Sequence, residues 1–353
     1  MPPQTRERTA LREPPPDTRD PAAAAAAVRD LLLAGAGDLP LPGRGRTPER
    51  FAALRALARW DVVVGRLVEA HADALAILAD LDADLDEAGP DPASGPAVDP
   101  AAATGQWWGV WAAEPPGAGV LAERDDEGTW TLTGVKPWCS GSGMCTHALV
   151  TAATPAGERR LFAVSLAAPG VLPAADHWHT AAMAGSGTHP VAFDQVPARA
   201  VGRPLAYLER PGFWHGAAGV AACWLGGADG VLDRLVAAGA DGRLDPHGLA
   251  HLGAAAAAVH AAGAELEAAA ERFDADPADT AGRVRLIALR VRAVVERAAA
   301  EVVERTGRAL GPAPLAMEPA HARRVADLQL YLRQSHAERD LAELGRLVAA
   351  DAR

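Results

Sequence analysis

The sequence predicts a mainly α-helical protein with a β domain in its middle third. Between Trp107 and Val196, glycines, β-branched residues and aromatic residues interrupt a chain that is otherwise rich in Ala, Leu and Arg. On either side of this segment, apolar residues recur at the spacing of amphipathic helices. The predicted parts are a polar tail at 1–20, a helical domain at 21–104, a β domain at 105–206 and a helical bundle at 207–353.

The N-terminal helical block has a recognisable start. Thr47 precedes Pro48 and Glu49, an order that supplies a helix cap, a first-turn proline and an early acidic residue. Apolar residues then continue at helical spacing over 51–78, which predicts two packed helices. The Pro/Gly-rich residues 87–104 predict a crossing loop.

The remaining pattern separates strands from long helices. Short runs of β-forming residues, bounded by Gly, Pro or Asp, predict four strands: WTLTGV, HALVTAAT, RLFAVSL and VAFDQV. After Tyr207 the spacing is helical again, in segments of roughly thirty residues that predict a bundle of long antiparallel helices. These helical segments are 213–238, 246–274, 279–310 and 319–349.

Composition and charge exclude several classes of function. The formal net charge of −11 argues against nucleic acid and anionic membrane surfaces as partners. Three cysteines are too few, and odd in number, for a disulfide framework, and no metal-binding spacing organises the histidines near Cys139 and Cys145. There is no apolar run of transmembrane length and no secretory signal, so we expect a cytoplasmic protein without a membrane span or a metal.

Three loop-like segments of the β region combine Gly, Pro and aromatic residues: WAAEPPGAG at 111–119, KPWCSGSG at 136–143 and GSGTHPVAFDQVPA at 185–198. With the helix–β–helix order, they resemble the acyl-CoA dehydrogenase superfamily over roughly residues 39–345. The resemblance implies an N-terminal helical domain, a β-barrel-like middle domain and a C-terminal long-helix bundle. It also implies FAD as the cofactor, with FMN as the alternative, an acyl-CoA-like substrate and an electron acceptor of unknown kind.

The segment 111–119 is similar to the first flavin loop of the family, and the resemblance implies that Trp111 and Ala113 contact the cofactor. Ala113 stands where the family has a threonine whose hydroxyl meets the flavin's pyrimidine edge. The loop's backbone N–H groups keep the ability to donate to the ring, since they do not depend on side-chain identity. Without the resemblance, this segment is an ordinary Pro/Gly turn between strands.

The segment 136–143 is similar to the second flavin loop, in which an aromatic residue packs near the isoalloxazine and a Ser or Thr two positions later faces N5. The resemblance therefore implies cofactor binding by Trp138, Cys139 and Ser140. A large apolar wall shields the reduced flavin, and a small hydroxyl tunes N5 without blocking it. The alternatives are core filling for Trp138 and a turn hydroxyl for Ser140.

The segment 185–198 resembles the loop and strand that cross the family's substrate channel. The resemblance implies substrate binding by Gly187, Thr188 and His189, where His189 could meet a carbonyl or a phosphate. A histidine in a solvent-facing loop is the alternative.

The catalytic base of the family is a glutamate in a Tyr-Glu-Gly-Thr-like turn near the C-terminus, which removes the α-proton before hydride passes to flavin N5. The corresponding residues 331–340 read YLRQSHAERD and lack this turn. Glu338 is the nearest carboxylate and His336 the nearest imidazole, so both are candidate catalytic residues. A surface ion pair with a neighbouring arginine is the alternative for Glu338.

The resemblance favours α,β-desaturation of an acyl thioester, and two alternatives stay open. A monooxygenase branch of the same superfamily, which uses reduced flavin and O₂, carries a histidine near this place, and His336 is similar to it. A catalytically silent partner subunit is the other alternative, motivated by Ala113 and the absent turn. Apolar ridges on the long helices also predict a homodimer or homotetramer.

Overall fold

The computed structural model describes residues 17–81, 105–114, 119–126, 128–174 and 178–351. The helices are α1 (Pro21–Leu33), α2 (Thr47–Trp60), α3 (Val62–Leu81), α4 (Ala206–Glu209), α5 (Gly212–Ala240), α6 (Pro246–Ala275), α7 (Val284–Leu310), α8 (Ala313–Met317), α9 (Pro319–Tyr331) and α10 (Glu338–Asp351). The strands are β1 (Trp108–Trp111), β2 (Val120–Arg124), β3 (Trp130–Cys139), β4 (His147–Ala153), β5 (Arg159–Ser165), β6 (Val171–Pro173) and β7 (His189–Val201). The helical, β and helical parts follow in the predicted order, so the predicted fold class is confirmed.

Asp61 separates the two helices predicted for the N-terminal block. Its extended backbone ends α2, and its carboxylate accepts the Val64 N–H at 3.0 Å in the first turn of α3. The carboxylate also accepts the Thr18 hydroxyl at 2.7 Å and pairs with Arg323 at 3.1 Å. Thr18 lies in the predicted tail but is fully buried, so this end of the tail belongs to the folded domain. Residues 1–16 and the predicted crossing loop at 87–104 lie outside the described residues.

Five strands of the described β domain close into a barrel, in the order β4, β2, β3, β7 and β5, with β5 pairing back to β4. At its margins, β1 adds to β4 in parallel and β6 adds to β7 in antiparallel fashion. The four predicted strands correspond to β3, β4, β5 and β7. The strands β1, β2 and β6 are too short for the alternation of apolar and polar residues to be recognised in the sequence. Buried apolar side chains of these strands fill the barrel.

The N-terminal helices and the C-terminal bundle share one apolar core. Their closest approach is at Gly226 of α5, where a Cβ atom would lie 2.1 Å from the carbonyl oxygen of Arg55 in α2. Only glycine lets the two backbones come this close. Beside this contact, the Arg55 guanidinium pairs with Asp229 at 2.6 Å.

The single helix predicted at 319–349 is wrong, because the chain breaks it into α9 and α10. A 3₁₀ turn at Leu332–Gln334 follows α9, and Ala337 adopts a φ of 45°, a left-handed conformation that a right-handed helix cannot include. The break places Ser335 and His336 in a short connecting segment instead of on a continuous helix surface.

Asp327 of α9 joins the bundle to the β domain. Its Oδ1 accepts the backbone N–H of Met183 at 2.5 Å, just before the 3₁₀ turn Ala184–Ser186 that leads into β7. Burial raises the pKa of the Asp327 carboxyl to about 6, and the Met183 hydrogen bond opposes this shift. The contact fixes the loop before β7 relative to the bundle.

Candidate functional site

The loops at the two predicted flavin-binding segments are tied together through Trp111. Its ring is buried, and its indole N–H donates to the backbone oxygen of Ser140 at 2.9 Å. Ala113 is exposed at the end of the described part of the first loop, since residues 115–118 lie outside the described residues. The structure therefore brings the first and second segments together, with Trp111 as a support and Ala113 on the surface.

Three segments are together called the platform below: residues 111–114, 136–143 and 184–189. Lys136 holds the platform to the barrel. It is the only lysine in the sequence, yet its side chain is fully buried. Its ammonium donates to the carbonyl oxygen of Thr151 at 2.9 Å and to its hydroxyl at 2.6 Å, and lies 3.5 Å from Glu114. Burial lowers the pKa of Lys136, and the charge of Glu114 opposes this shift. Glu114 also pairs with Arg159 at 2.9 Å, so the first loop is held to the barrel by charge on both sides.

The end of β3 turns one side chain outward and the next inward. Trp138 has a φ of 56° and is 61% exposed, so most of its ring is free to contact a ligand. Cys139 is fully buried; its thiol donates to the Lys136 carbonyl at 3.1 Å, and burial raises its pKa above the ordinary value. Trp138 and Cys139 are both predicted to contact the cofactor. Trp138 presents its side chain outward, while Cys139 directs its side chain into the barrel core.

A chain of hydroxyl groups reaches Ser140 from the loop before β7. The Met183 carbonyl, Ser186 Oγ, Thr188 Oγ1 and Ser140 Oγ follow at spacings of 2.7, 2.7 and 3.0 Å. When Thr188 donates to Ser140, Ser186 can give its single proton to the Met183 carbonyl or to Thr188 but not to both, and the Ser140 hydroxyl keeps its own proton for another acceptor. Thr188 thus acts on Ser140, in addition to its predicted place near the substrate.

Further hydrogen bonds lock the predicted substrate loop to the second flavin loop. Gly141 donates its N–H to the Ser186 carbonyl at 2.8 Å, and the Ser142 hydroxyl donates to the Gly187 carbonyl at 3.2 Å. Gly187 has a φ of 53°, and a Cβ there would lie 2.5 Å from Met144, so no larger residue fits without rearrangement. His189 pairs with Cys139 across β7 and β3 and is half-buried, and its Nδ1 has no hydrogen-bond partner among the described residues.

The two candidate catalytic residues lie in different surroundings. Glu338 is exposed in the first turn of α10 and lines none of the cavities described for residues 17–351. The His336 imidazole lines a cavity of about 250 Å³, and its Nδ1 lies 3.3 Å from the Asp340 carboxylate. His336 and Glu338 are thus close in sequence, but only His336 reaches the cavity.

This cavity, called the charged cavity below, lies between α3, α4, α5, α7 and the segment after α9. Its wall consists of Glu69, Asp73, Tyr207, Arg210, Phe213, Trp214, Gly216, Ala217, Val220, Leu289, Arg292, His336 and Asp340. Burial, with repulsion from Asp73, raises the pKa of the Glu69 carboxyl to about 7, although Arg66 pairs with it at 2.8 Å and opposes the shift. Apart from its charged residues and His336, the wall is apolar and aromatic, so the cavity suits a ligand that combines a polar group with an apolar body.

Sequence reasoning did not find the acidic part of this wall. Glu69 and Asp73 are four positions apart in α3, which otherwise presents long buried apolar stretches. Two carboxylates on one face of an apolar helix are a signal that could have indicated a site, because buried carboxylates need partners. The aromatic and arginine members come from distant segments, and no local pattern joins them to α3.

The platform fits a flavin. The exposed Trp138 ring offers an apolar face to a tricyclic heterocycle, and the Ser140 hydroxyl has a proton to donate to a ring nitrogen. Metal binding has no comparable support: no group of three or more His, Cys, Asp or Glu side chains in the described ranges is arranged to hold an ion. Within the same ranges, every helix is too short or too polar to cross a membrane.

Comparison with known proteins agrees with this architecture. Residues 117–196 match the family model of the acyl-CoA dehydrogenase middle domain, and no curated protein matches the sequence. Dibenzothiophene monooxygenase TdsC from Paenibacillus sp. A11-2 aligns with a TM-score of 0.78 at 20% identity, covering 96% of this chain and 94% of that chain. Nitrososynthase from Micromonospora carbonacea var. africana aligns with a TM-score of 0.75 at 20% identity, with coverages of 94% and 93%.

Butyryl-CoA dehydrogenase from Megasphaera elsdenii aligns with a TM-score of 0.74 at 18% identity, covering 92% of this chain and 90% of that chain. The fold is thus shared with both monooxygenase and dehydrogenase structures. The resemblance found in the sequence is confirmed at the level of the fold: residues 117–196 match the middle-domain model of the acyl-CoA dehydrogenases, and the chain shares its fold with structures of that superfamily.

Proposed function

We propose that the protein is a flavin-dependent monooxygenase that oxygenates a small polar molecule. The observation that carries this proposal is the position of His336: both candidate side chains are exposed, but the His336 imidazole lines the charged cavity and Glu338 does not. Desaturation of a thioester needs a free carboxylate at the α-carbon. The carboxylate of this segment that does line the cavity, Asp340, is engaged by His336.

Trp138, Ser140 and the loop backbone are the groups that we expect to hold the flavin. Bound flavin, once reduced, supplies the electrons that activate O₂. Trp138 shields one face of the ring from water, and Ser140 donates a hydrogen bond to it. FAD is the cofactor expected from the sequence, and FMN, which is bound in a solved structure of TdsC, is the alternative. Mass spectrometry of the cofactor released by heat distinguishes the two.

His336 has the arrangement of an acid–base residue. The Asp340 carboxylate accepts the backbone N–H of His336 at 3.3 Å and lies at the same distance from its Nδ1. A carboxylate at Nδ1 holds the proton on that nitrogen, which leaves the lone pair on Nε2. In this tautomer Nε2 can take a proton from a substrate and later return it. Asp340 is then the positioning residue of the pair.

One observation favours a second candidate, the α,β-desaturation expected from the sequence. Glu69 is a buried carboxylate on the cavity wall with a pKa of about 7, a value suited to a general base. In this case Glu69, and not Glu338, removes the α-proton. The reaction rate then rises with pH through about 7, because the base must be ionised, and Glu69→Gln abolishes it.

Parallel assays of the flavin-loaded protein test these candidates. In the first, a reductase supplies reduced flavin under ¹⁸O₂, and small amines, alcohols and heteroaromatics are screened by mass spectrometry for incorporated ¹⁸O. In the second, acyl-CoA thioesters are incubated without O₂ and with ferrocenium as the electron acceptor. We expect label incorporation and no reduction of ferrocenium. Ferrocenium reduction without label supports desaturation, and a protein that binds no flavin and turns over nothing is the silent partner subunit.

We also propose that the protein forms a homodimer or homotetramer. α10 has no buried residue, and Leu341 and Val348 are 53% and 48% exposed on its surface. An amphipathic helix with exposed aliphatic side chains gains stability when a second copy covers them. Light scattering measures the mass directly, and a monomer at micromolar concentration would remove this proposal.

A further inference from the structure

One oxygen of the Asp73 carboxylate, Oδ1, has no hydrogen-bond partner among the described residues. Asp73 lies on α3 in the wall of the charged cavity, and its Oδ1 is excluded from solvent. A buried carboxylate oxygen that accepts no hydrogen bond costs free energy, because it has given up its bonds to water. A ligand that brings an N–H group into the cavity would donate the hydrogen bond that Asp73 Oδ1 lacks.

The other charged groups near Asp73 are engaged. Glu69 pairs with Arg66 at 2.8 Å, and Nη1 of Arg210 pairs with Asp80 at 2.8 Å, while Nε of each arginine has no hydrogen-bond partner among the described residues. Arg292 donates to the Ala217 carbonyl at 3.0 Å and covers the Trp224 ring, with its charged carbon 4.5 Å from the ring centroid.

Arg50 and Arg66, outside the cavity wall, are positive charges that attract Asp73. Arg50 is buried and donates to the Pro40 carbonyl at 3.1 Å. Neither arginine donates a hydrogen bond to Asp73 Oδ1.

Gly216 allows Asp73 to occupy this position. A Cβ atom on Gly216 of α5 would lie 2.7 Å from Asp73 Oδ1, which is shorter than a normal van der Waals contact. Glycine in the interior of a helix is destabilising relative to alanine. At position 216 the close approach of Asp73 leaves no room for a larger residue. The carboxylate is thus accommodated by the packing of two helices.

Aromatic side chains form the adjacent wall. The Phe213 ring packs edge-on against Tyr207 at 5.4 Å and against Trp214 at 5.2 Å, and all three line the charged cavity. An organic cation that carries a ring or an alkyl group matches a wall with one carboxylate and several aromatic edges.

We propose that Asp73 forms the subsite for the protonated amine of the substrate, within the charged cavity that His336 also lines. This inference rests on the proposed function, since it assigns the substrate class of the same site. The amine donates to Asp73, the carbon skeleton contacts the aromatic wall, and Nε2 of His336 faces the same space. Substrates are therefore small primary or secondary amines, in preference to neutral molecules of the same shape.

Calorimetric binding of benzylamine and benzyl alcohol to the flavin-loaded protein tests the inference. The two probes have nearly the same shape, and only benzylamine is charged at pH 7.5. We expect benzylamine to bind at least about tenfold more tightly, the order of effect of one charge-assisted hydrogen bond. In Asp73→Asn this preference is lost. The matched control is Asp30→Asn, which removes an exposed carboxylate of α1 and keeps the preference.

Equal binding of the two probes, no binding of either, or an unchanged preference in Asp73→Asn would each overturn the inference. If Asp73→Asn does not fold, Gly216→Ala gives the same information, because the added methyl group displaces the carboxylate. The flavin absorbance spectrum reports folding in every variant. Calorimetry uses oxidised flavin without turnover, so a preference for benzylamine in a protein that never incorporates ¹⁸O leaves the inference intact and removes only the proposed function.

Discussion

The two halves of the candidate site are built differently. The platform on the β domain is assembled from residues 111–114, 136–143 and 184–189, which are joined to one another by hydrogen bonds of 2.8–3.2 Å. The charged cavity takes its wall from four helices and the segment after α9, and Oδ1 of Asp73 in this wall has no hydrogen-bond partner among the described residues. A platform that is largely hydrogen-bonded within itself suits a rigid ligand, whereas the unpartnered oxygen in the cavity suits a ligand that supplies a hydrogen-bond donor.

This difference has consequences for how the site responds to substitution. Platform residues are held by short loops, so changing them alters cofactor affinity or the folding of the barrel. Cavity residues act on whatever enters the cavity, so changing them alters turnover and selectivity while the flavin stays bound. Each substitution below changes the platform, the charged cavity, or the contact between Asp327 and Met183 that joins the bundle to the β domain. The measurements then show whether the unchanged part responds.

The largest effect is expected for His336→Ala. Loss of a general acid–base group lowers turnover by roughly 10²- to 10⁴-fold, and flavin affinity stays unchanged because His336 bonds to Asp340 and to none of the residues expected to hold the flavin. Steady-state assays give the rate, and titration of the apoprotein with flavin gives the affinity. Asp340→Asn, which leaves the imidazole and removes only its orienting partner, is expected to cause a smaller loss.

If His336→Ala retains full turnover, or if it loses flavin as well as activity, the division between cavity and platform is wrong.

The contact between Asp327 and Met183, which joins the bundle to the β domain, is tested by Asp327→Asn. The pKa of the folded-state carboxyl is raised to about 6 from an ordinary value of 3.8, so between these values the unfolded chain releases its proton first. The wild-type free energy of unfolding therefore falls as pH rises from about 4 to about 6, by about 3 kcal/mol in total. The variant lacks this dependence and keeps an acceptor for Met183. Urea unfolding of both proteins at pH 4, 5, 6 and 7 measures the difference.

A parallel pH profile in the two proteins would show that Asp327 does not carry the shift and that the contact with Met183 is not maintained by a buried carboxyl.

The sequence predicts more of the platform than of the charged cavity, and the difference in how the two are built explains why. The longer strands are encoded locally, by β-branched residues bounded by Gly, Pro or Asp. The contact between Trp111 and Ser140 joins residues 29 positions apart, and no local pattern predicts it. The sequence does not predict the break at 332–337, because no Gly or Pro marks it and the left-handed φ falls on an alanine, whose N–H bonds to the Ser335 hydroxyl. The acidic wall was missed because helical periodicity tells which face is buried, but not which distant charges it meets.

The platform is tested by Trp138→Ala. Because the ring is 61% exposed, its removal should leave the free energy of unfolding nearly unchanged while weakening flavin binding by about tenfold, the order expected for one lost aromatic contact. Flavin fluorescence titration and urea unfolding measure the two quantities. Leu172→Ala is the matched control, since Leu172 is 60% exposed on β6 and should change neither. Equal affinities for wild-type and Trp138→Ala would mean that the flavin does not contact this ring.

The smallest effect is expected for Glu338→Gln, the residue that the sequence placed nearest to the position of the family's base. Its side chain is exposed in the first turn of α10, where an acidic group interacts favourably with the helix dipole but lacks the burial that makes a carboxylate a strong base. We expect turnover within about twofold of wild type, as for most exposed substitutions away from a site. A loss of several orders of magnitude would instead move the reacting atoms out of the charged cavity, restore the dehydrogenase expectation and require α10 to turn towards the platform when substrate binds.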